Sequence, residues 1–170
     1  MHTPGRGEGA LRRHRITITG ASYFLTLCSV ARHAQPVDDE IAHLIHAELN
    51  SIERDQHWVQ RAGVLMPDHL HLFVRLTGGL ALSRCVARLK ARTRSALTAK
   101  GWGWQPNYYE HRLRPDEPVS AVMRYLFLNP YRAGLLRSGE SYRWFWLGRD
   151  ETGWFECDAS QVEREPEWLR

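Results

Sequence analysis

Apolar residues recur along this chain with two periods, and the switches between them mark its elements. Residues 16–30 are rich in Ile, Thr, Tyr, Phe and Leu, with Gly20 inside. They predict a strand broken by a turn near Gly20-Ala21. Over 36–54 the period becomes helical, with Val37, Ile41, Leu44, Ile45, Leu49 and Ile52 on one side. Pro36 suits the start of that helix. Residues 58–66 predict a second strand, Pro67-Asp68 a turn, and 69–76 a third strand that ends at Gly78-Gly79. So short a link implies an antiparallel hairpin. Residues 80–98 predict a second helix, with Leu82, Val86, Leu89 and Leu97 on its apolar side. A loop over 101–106 leads to a fourth strand at 108–113. Asp116 is placed to cap a third helix, which runs to about Asn129, where Pro130 forbids continuation.

The order strand, helix, strand, strand, helix, strand, helix predicts an α+β fold: an antiparallel sheet with helices on one side. Its first six elements match the ferredoxin-like pattern. The domain spans 16–135. Residues 1–15 form a flexible basic arm, and the Trp- and charge-rich tail over 136–170 wraps the domain.

Composition narrows the function classes. Of 170 residues, 43% are hydrophobic and 25% charged, which describes a globular chain rather than a disordered one. Cys28, Cys85 and Cys157 are far apart and include no Cys-x-x-Cys pair, so neither a disulfide framework nor a zinc ribbon is expected. A reducing cytoplasm fits this usage. The polar first fifteen residues do not resemble a signal peptide, and no stretch approaches the roughly 20 apolar residues of a membrane span. No membrane partner is expected. A net charge of +4 and a pI near 9.2 favour an anionic partner such as nucleic acid.

Two constellations carry candidate chemistry. In Met66-Pro67-Asp68-His69-Leu70-His71-Leu72-Phe73-Val74, strand alternation puts His69 and His71 on one face, and Leu70 and Leu72 on the other. Two adjacent imidazoles make sense as metal ligands. The plainer reading is one core histidine and one surface histidine. In Arg124-Tyr125-Leu126-Phe127-Leu128-Asn129-Pro130, Tyr125 and Asn129 share a helix face at the edge of the apolar arc made by Val119, Val122, Met123, Leu126 and Phe127. There a phenol can reach a polar site on the sheet. Alone, it is equally an ordinary core-edge tyrosine.

Together these motifs resemble the single-tyrosine HUH transposases. The match is closer to the REP-associated tyrosine transposases, through Met66 to His71, Trp104-Gln105, Tyr109-Glu110-His111-Arg112-Leu113-Arg114, and Tyr125-Leu126-Phe127-Leu128-Asn129-Pro130-Tyr131-Arg132-Ala133-Gly134-Leu135. The resemblance spans about residues 12 to 147. It implies a nuclease–transferase acting on single-stranded or hairpin DNA, with the catalytic tyrosine on a C-terminal helix. His69 and His71 would hold a divalent metal, Mn²⁺ or Mg²⁺, with the Asn129 amide as third ligand. Tyr125 would attack phosphorus, leaving a 5′-phosphotyrosine and a 3′-hydroxyl.

Asp68 and Glu110 are the nearest carboxylates. Each is either a base or partner to a ligating histidine, or simply a turn residue and a sheet-edge charge. His111 is expected to make a structural hydrogen bond. DNA contacts are assigned to Arg12, Arg13 and Arg15, to the Arg84, Arg88, Arg92 stripe, and to Arg112 and Arg114. Trp102, Trp104, Tyr108 and Tyr109 either stack on bases or pack in the core. Two rivals remain: a domesticated module that holds hairpin DNA without cutting it, and a metal hydrolase that uses water and does not need Tyr125. A monomer is expected from the long tail, although shorter relatives form dimers.

Overall fold

The computed structural model describes residues 17–30, 37–153, 155–156 and 168. Arg12, Arg13, Arg15, Pro36 and Cys157 lie outside the described residues. The elements are β1 (Ser22–Cys28), α1 (Asp39–Arg54), β2 (Trp58–Leu65), β3 (His69–Leu76), α2 (Leu82–Ala99), β4 (Tyr109–Arg112), α3 (Val119–Arg132) and β5 (Phe145–Leu147). A turn of 3₁₀ helix follows at Arg149–Glu151. No helix among the described residues is long and apolar enough to cross a membrane.

The sheet order is β4-β1-β3-β2-β5 and every pairing is antiparallel. The first four strands give the ferredoxin-like order, as the element sequence predicts. The expectation that all helices lie on one side is wrong. α1 and α2 cover one face, packing Ile45, Leu49, Val86 and Leu89 against Leu25, Leu70, Leu72 and Val74. α3 covers the other face, packing Val122, Met123 and Leu126 against Phe24, Ala62, Val64 and Phe73. The reason is in the strands themselves: both faces of β1, β2 and β3 carry apolar residues, so both need cover.

Local chemistry explains the helix ends. Asp38 caps α1, its carboxylate accepting from the Ile41 N–H at 3.1 Å, and Asp39 and Glu40 suit the positive end of the helix. α3 departs from expectation at both ends. It begins after Pro118, with no side-chain cap, so Asp116 plays no capping part. It continues through Pro130 to Arg132. A proline in the last turn forfeits only one backbone donor. The turn is closed by Ala133 N–H to Asn129 O, Gly134 N–H to Tyr131 O and Leu135 N–H to Pro130 O, each 3.0 Å. Gly134 takes the left-handed conformation (φ +69°) that such a closure favours.

The described part of the tail adds a strand: β5 extends the sheet along β2. A buried polar network locks it there. The Gln60 amide donates to Asn50 and Glu53 and accepts from the Trp146 indole at 3.2 Å. The indole lies flat over Gly63, where an added Cβ would come 2.2 Å from the ring. Gly63→Ala should therefore cost about 1–3 kcal/mol of stability through overpacking. Urea unfolding measures it, and the cost should shrink in a Trp146→Ala background. An equal cost in both would place the strain elsewhere.

Candidate active site

β3 is the central strand, and its alternation sets the site. His69, His71 and Phe73 face α3; Leu70, Leu72 and Val74 face α1 and α2. Register with β1 places Thr26 opposite His71 and Cys28 opposite His69. The hairpin closes tightly before them, with the Met66 N–H donating to the His69 carbonyl at 2.8 Å.

His71 is only 5% exposed. Burial holds its imidazole well below the usual histidine range, and His69 beside it adds to this, against a hydrogen bond to the Leu25 backbone. The ring is therefore neutral. Its Nδ1 lies 2.9 Å from the Thr26 hydroxyl oxygen. Its Nε2 lies 3.4 Å from the Tyr125 hydroxyl oxygen. His69 is arranged in the same way. Its Nδ1 lies 2.6 Å from the Asp68 carboxylate, and its buried Nε2 has no hydrogen-bond partner among the described residues. The two imidazole centres are 4.3 Å apart. Both rings are thus oriented from behind, with their Nε2 atoms turned away from those anchors. Carboxylate- or hydroxyl-anchored histidines of this kind are how proteins present imidazole to a metal.

Tyr125 reaches this pair from α3. Phe24 packs edge-on against its ring at 5.8 Å between centres, and Phe24 also contacts His71 at 5.0 Å. The Arg132 guanidinium lies over the Tyr125 ring, 5.6 Å from its centre. Asn129 sits one helical turn past Tyr125, half-buried, and its amide makes no side-chain hydrogen bond among the described residues. Among those residues no three His, Cys, Asp or Glu side chains are arranged around a metal position. A metal here would rest on two imidazoles and on donors of another type.

The remaining predicted residues divide. Asp68 orients His69. Glu110 pairs with Leu25, which points toward α1 and α2, so it occupies the face opposite the imidazoles. His111 makes the expected structural bond, to Glu117 at 2.8 Å, and Trp168 stacks on its ring at 4.1 Å. Arg88 is tied to Glu48, Asp55 and Ser51 of the α1 segment and its C-cap at 2.7–2.8 Å, so it joins two helices. Arg84 and Arg92 are exposed on α2, behind the sheet as seen from Tyr125; Arg112 and Arg114 are exposed at the end of β4. Trp102 is buried, Trp104 donates to Thr93 at 2.9 Å, and Tyr108 packs against the core. Tyr109 is 40% exposed, on the imidazole face opposite Thr26. Thr26 and Phe24 went unnoticed in the sequence. Only the cross-strand register brings them to His71.

Comparison with known proteins identifies the family and the fold. The family model described as "Transposase IS200 like" matches residues 17–127. The REP-associated tyrosine transposase of Escherichia coli (strain K12) is 26% identical over 137 residues, which is 80% of this chain and 82% of the relative. A REP-associated tyrosine transposase solved bound to a REP hairpin has the same fold, with a TM-score of 0.67 and 22% identity over 78% of this chain and 79% of that one.

The neutral, buried state of His71 has a consequence for stability. Unfolded, the imidazole takes up a proton near its ordinary value of 6.5; folded, it does so only at lower pH. Between the two values the unfolded chain binds more protons, so stability falls as pH drops below about 6.5 and is level above it. His46, also lowered by burial, adds to the same slope. In chelator, His71→Asn should flatten this acid-side slope, as measured by urea titration from pH 7.5 to 5. An unchanged slope would mean that His71 is not held neutral.

Proposed function

The chain belongs to the IS200-like transposase family, and from that premise we propose that it cuts and rejoins single-stranded hairpin DNA with Tyr125 as nucleophile. One observation carries the reading: the Tyr125 hydroxyl lies 3.4 Å from Nε2 of His71, whose ring centre is 4.3 Å from that of His69. A plain core tyrosine does not call for a pair of imidazoles, each anchored through Nδ1, beside it.

The donor set suits a divalent cation. Two imidazoles anchored through Nδ1 leave their Nε2 atoms to serve as ligands, and the Asn129 amide is the uncommitted donor nearest along α3. Mn²⁺ matches mixed nitrogen and oxygen ligands, with Mg²⁺ the alternative. When bound, such an ion would polarise the scissile phosphate and offset its developing charge. The protein does the rest. Thr26 and Asp68 keep the ring orientations, and Phe24 fixes the side of the phenol. The Tyr125 oxygen bonds to phosphorus as the bond to the 3′-oxygen breaks. The phenolic proton leaves and the 3′-oxygen gains one. The resulting 5′-phosphotyrosine is a diester like the one broken, so rejoining needs no external energy source. Arg112 and Arg114 are exposed near the edge strand β4 and suit phosphate contacts. Arg84 and Arg92 sit behind the sheet, where they could hold only DNA outside the cleavage point.

A 5′-extended hairpin oligonucleotide incubated with Mn²⁺ or Mg²⁺ should yield a covalent protein–DNA adduct on a denaturing gel. Tyr125→Phe should abolish the adduct, and His69→Ala and His71→Ala should reduce it by about 10²-fold or more, with hairpin binding retained. Cleavage surviving in Tyr125→Phe would favour a water nucleophile. Tight binding without cleavage in either metal would favour a domesticated binding module.

A further inference from the structure

One charged group beside the nucleophile has no part in this chemistry. The Arg132 guanidinium lies 5.6 Å from the centre of the Tyr125 ring. The two residues are seven apart on α3, so two turns bring them to one stripe. Helical side chains lean toward the N-terminus, which aims Arg132 back at Tyr125. The last turn is pinned by the backbone bonds of Ala133, Gly134 and Leu135. The negative end of the helix also favours a cation there. The Tyr125 ring thus meets His71 and Phe24 of the sheet and the guanidinium of Arg132 from its own helix.

We propose that Arg132 positions the Tyr125 ring and then serves as counter-charge for the phosphate the tyrosine takes on. This rests on the nuclease reading above. Over the neutral phenol, the cation restrains ring rotation and keeps the hydroxyl beside His71. Once the oxygen–phosphorus bond has formed and the bond to the 3′-oxygen has broken, the new diester holds one negative charge on its non-bridging oxygens. A guanidinium swinging off the ring meets it. Arginine suits both tasks: it stays protonated, is weakly hydrated, and its planar fork can donate to two phosphate oxygens at once. Lysine would carry the charge without the fork.

Two measurements test this. The first needs no cleavage. Tyr125→Phe protein in chelator is titrated with a hairpin whose single-stranded arm ends in a 5′-phosphate, and with its 5′-hydroxyl twin. The phosphate form should bind about tenfold more tightly, the scale of one charge-assisted contact. Adding Arg132→Gln should erase that preference while leaving the hydroxyl twin within about twofold; Arg132→Lys should keep part of it. The second is single-turnover adduct formation in Mn²⁺. Arg132→Gln should slow it about tenfold or more with the half-saturating DNA concentration unchanged, and Arg132→Lys should recover part of the rate. No phosphate preference in the parent, a preference that survives Arg132→Gln, or equal loss of both twins would each overturn the proposal. A wild-type protein that forms no adduct would instead sink the nuclease reading, and the twin comparison would still decide the role of Arg132.

Discussion

β3 is hydrogen-bonded along its whole length, to β1 on one side and β2 on the other, and this double pairing is the constraint on which the rest depends. Side chains on a strand alternate, so a slip of one residue would exchange its two faces. The exchange would put two imidazoles into the aliphatic layer under α1 and α2, away from Thr26, Asp68 and Tyr125. That layer holds no polar partner for them. The fully buried leucines on one face hold the histidines in place on the other. The same register brings Thr26 against His71 and lets one hydroxyl orient a ring across the strand boundary.

The site is therefore held from three directions by ordinary packing. The hairpin turn supplies Asp68 to His69, β1 supplies Thr26 and Phe24, and α3 supplies Tyr125. The penalty of burying polar rings is reduced because each is neutral or anchored by a hydrogen bond. What this leaves for chemistry is a pair of imidazole Nε2 atoms and one phenol. Arg88 gives the opposite case. It is a strongly basic side chain at a plausible DNA-binding spacing, yet Glu48, Asp55 and Ser51 fully engage it in joining α1 to α2.

Much of this was legible in the sequence because periodicity is local. Both long helices, the hairpin and the shared face of His69 and His71 follow from spacing alone, and the ferredoxin-like order follows from the sequence of elements. What was not legible depends on residues far apart along the chain. Thr26 and His71 are 45 positions apart, and only register joins them. That α3 crosses to the second face reflects apolar residues on both sides of β1 to β3, a pattern that reads equally as a buried strand. The continuation of α3 past Pro130 turns on a capping arrangement at Gly134, outside the proline's own neighbourhood. The tail was read as a wrap because three strand residues, Phe145 to Leu147, are too few to register as a period.

The addition of β5 also changes how the molecule meets its neighbours. Without it, the eight residues of β2 would form an outer border with open N–H and C=O groups, a long template for another chain. With β5 in place, the borders are a three-residue strand and the four residues of β4, the latter carrying Glu110 and Arg112. Among the described residues both are short, and β4 is charged as well. The glycine that admits the Trp146 indole thus narrows the open border of β2 as much as it fixes the tail.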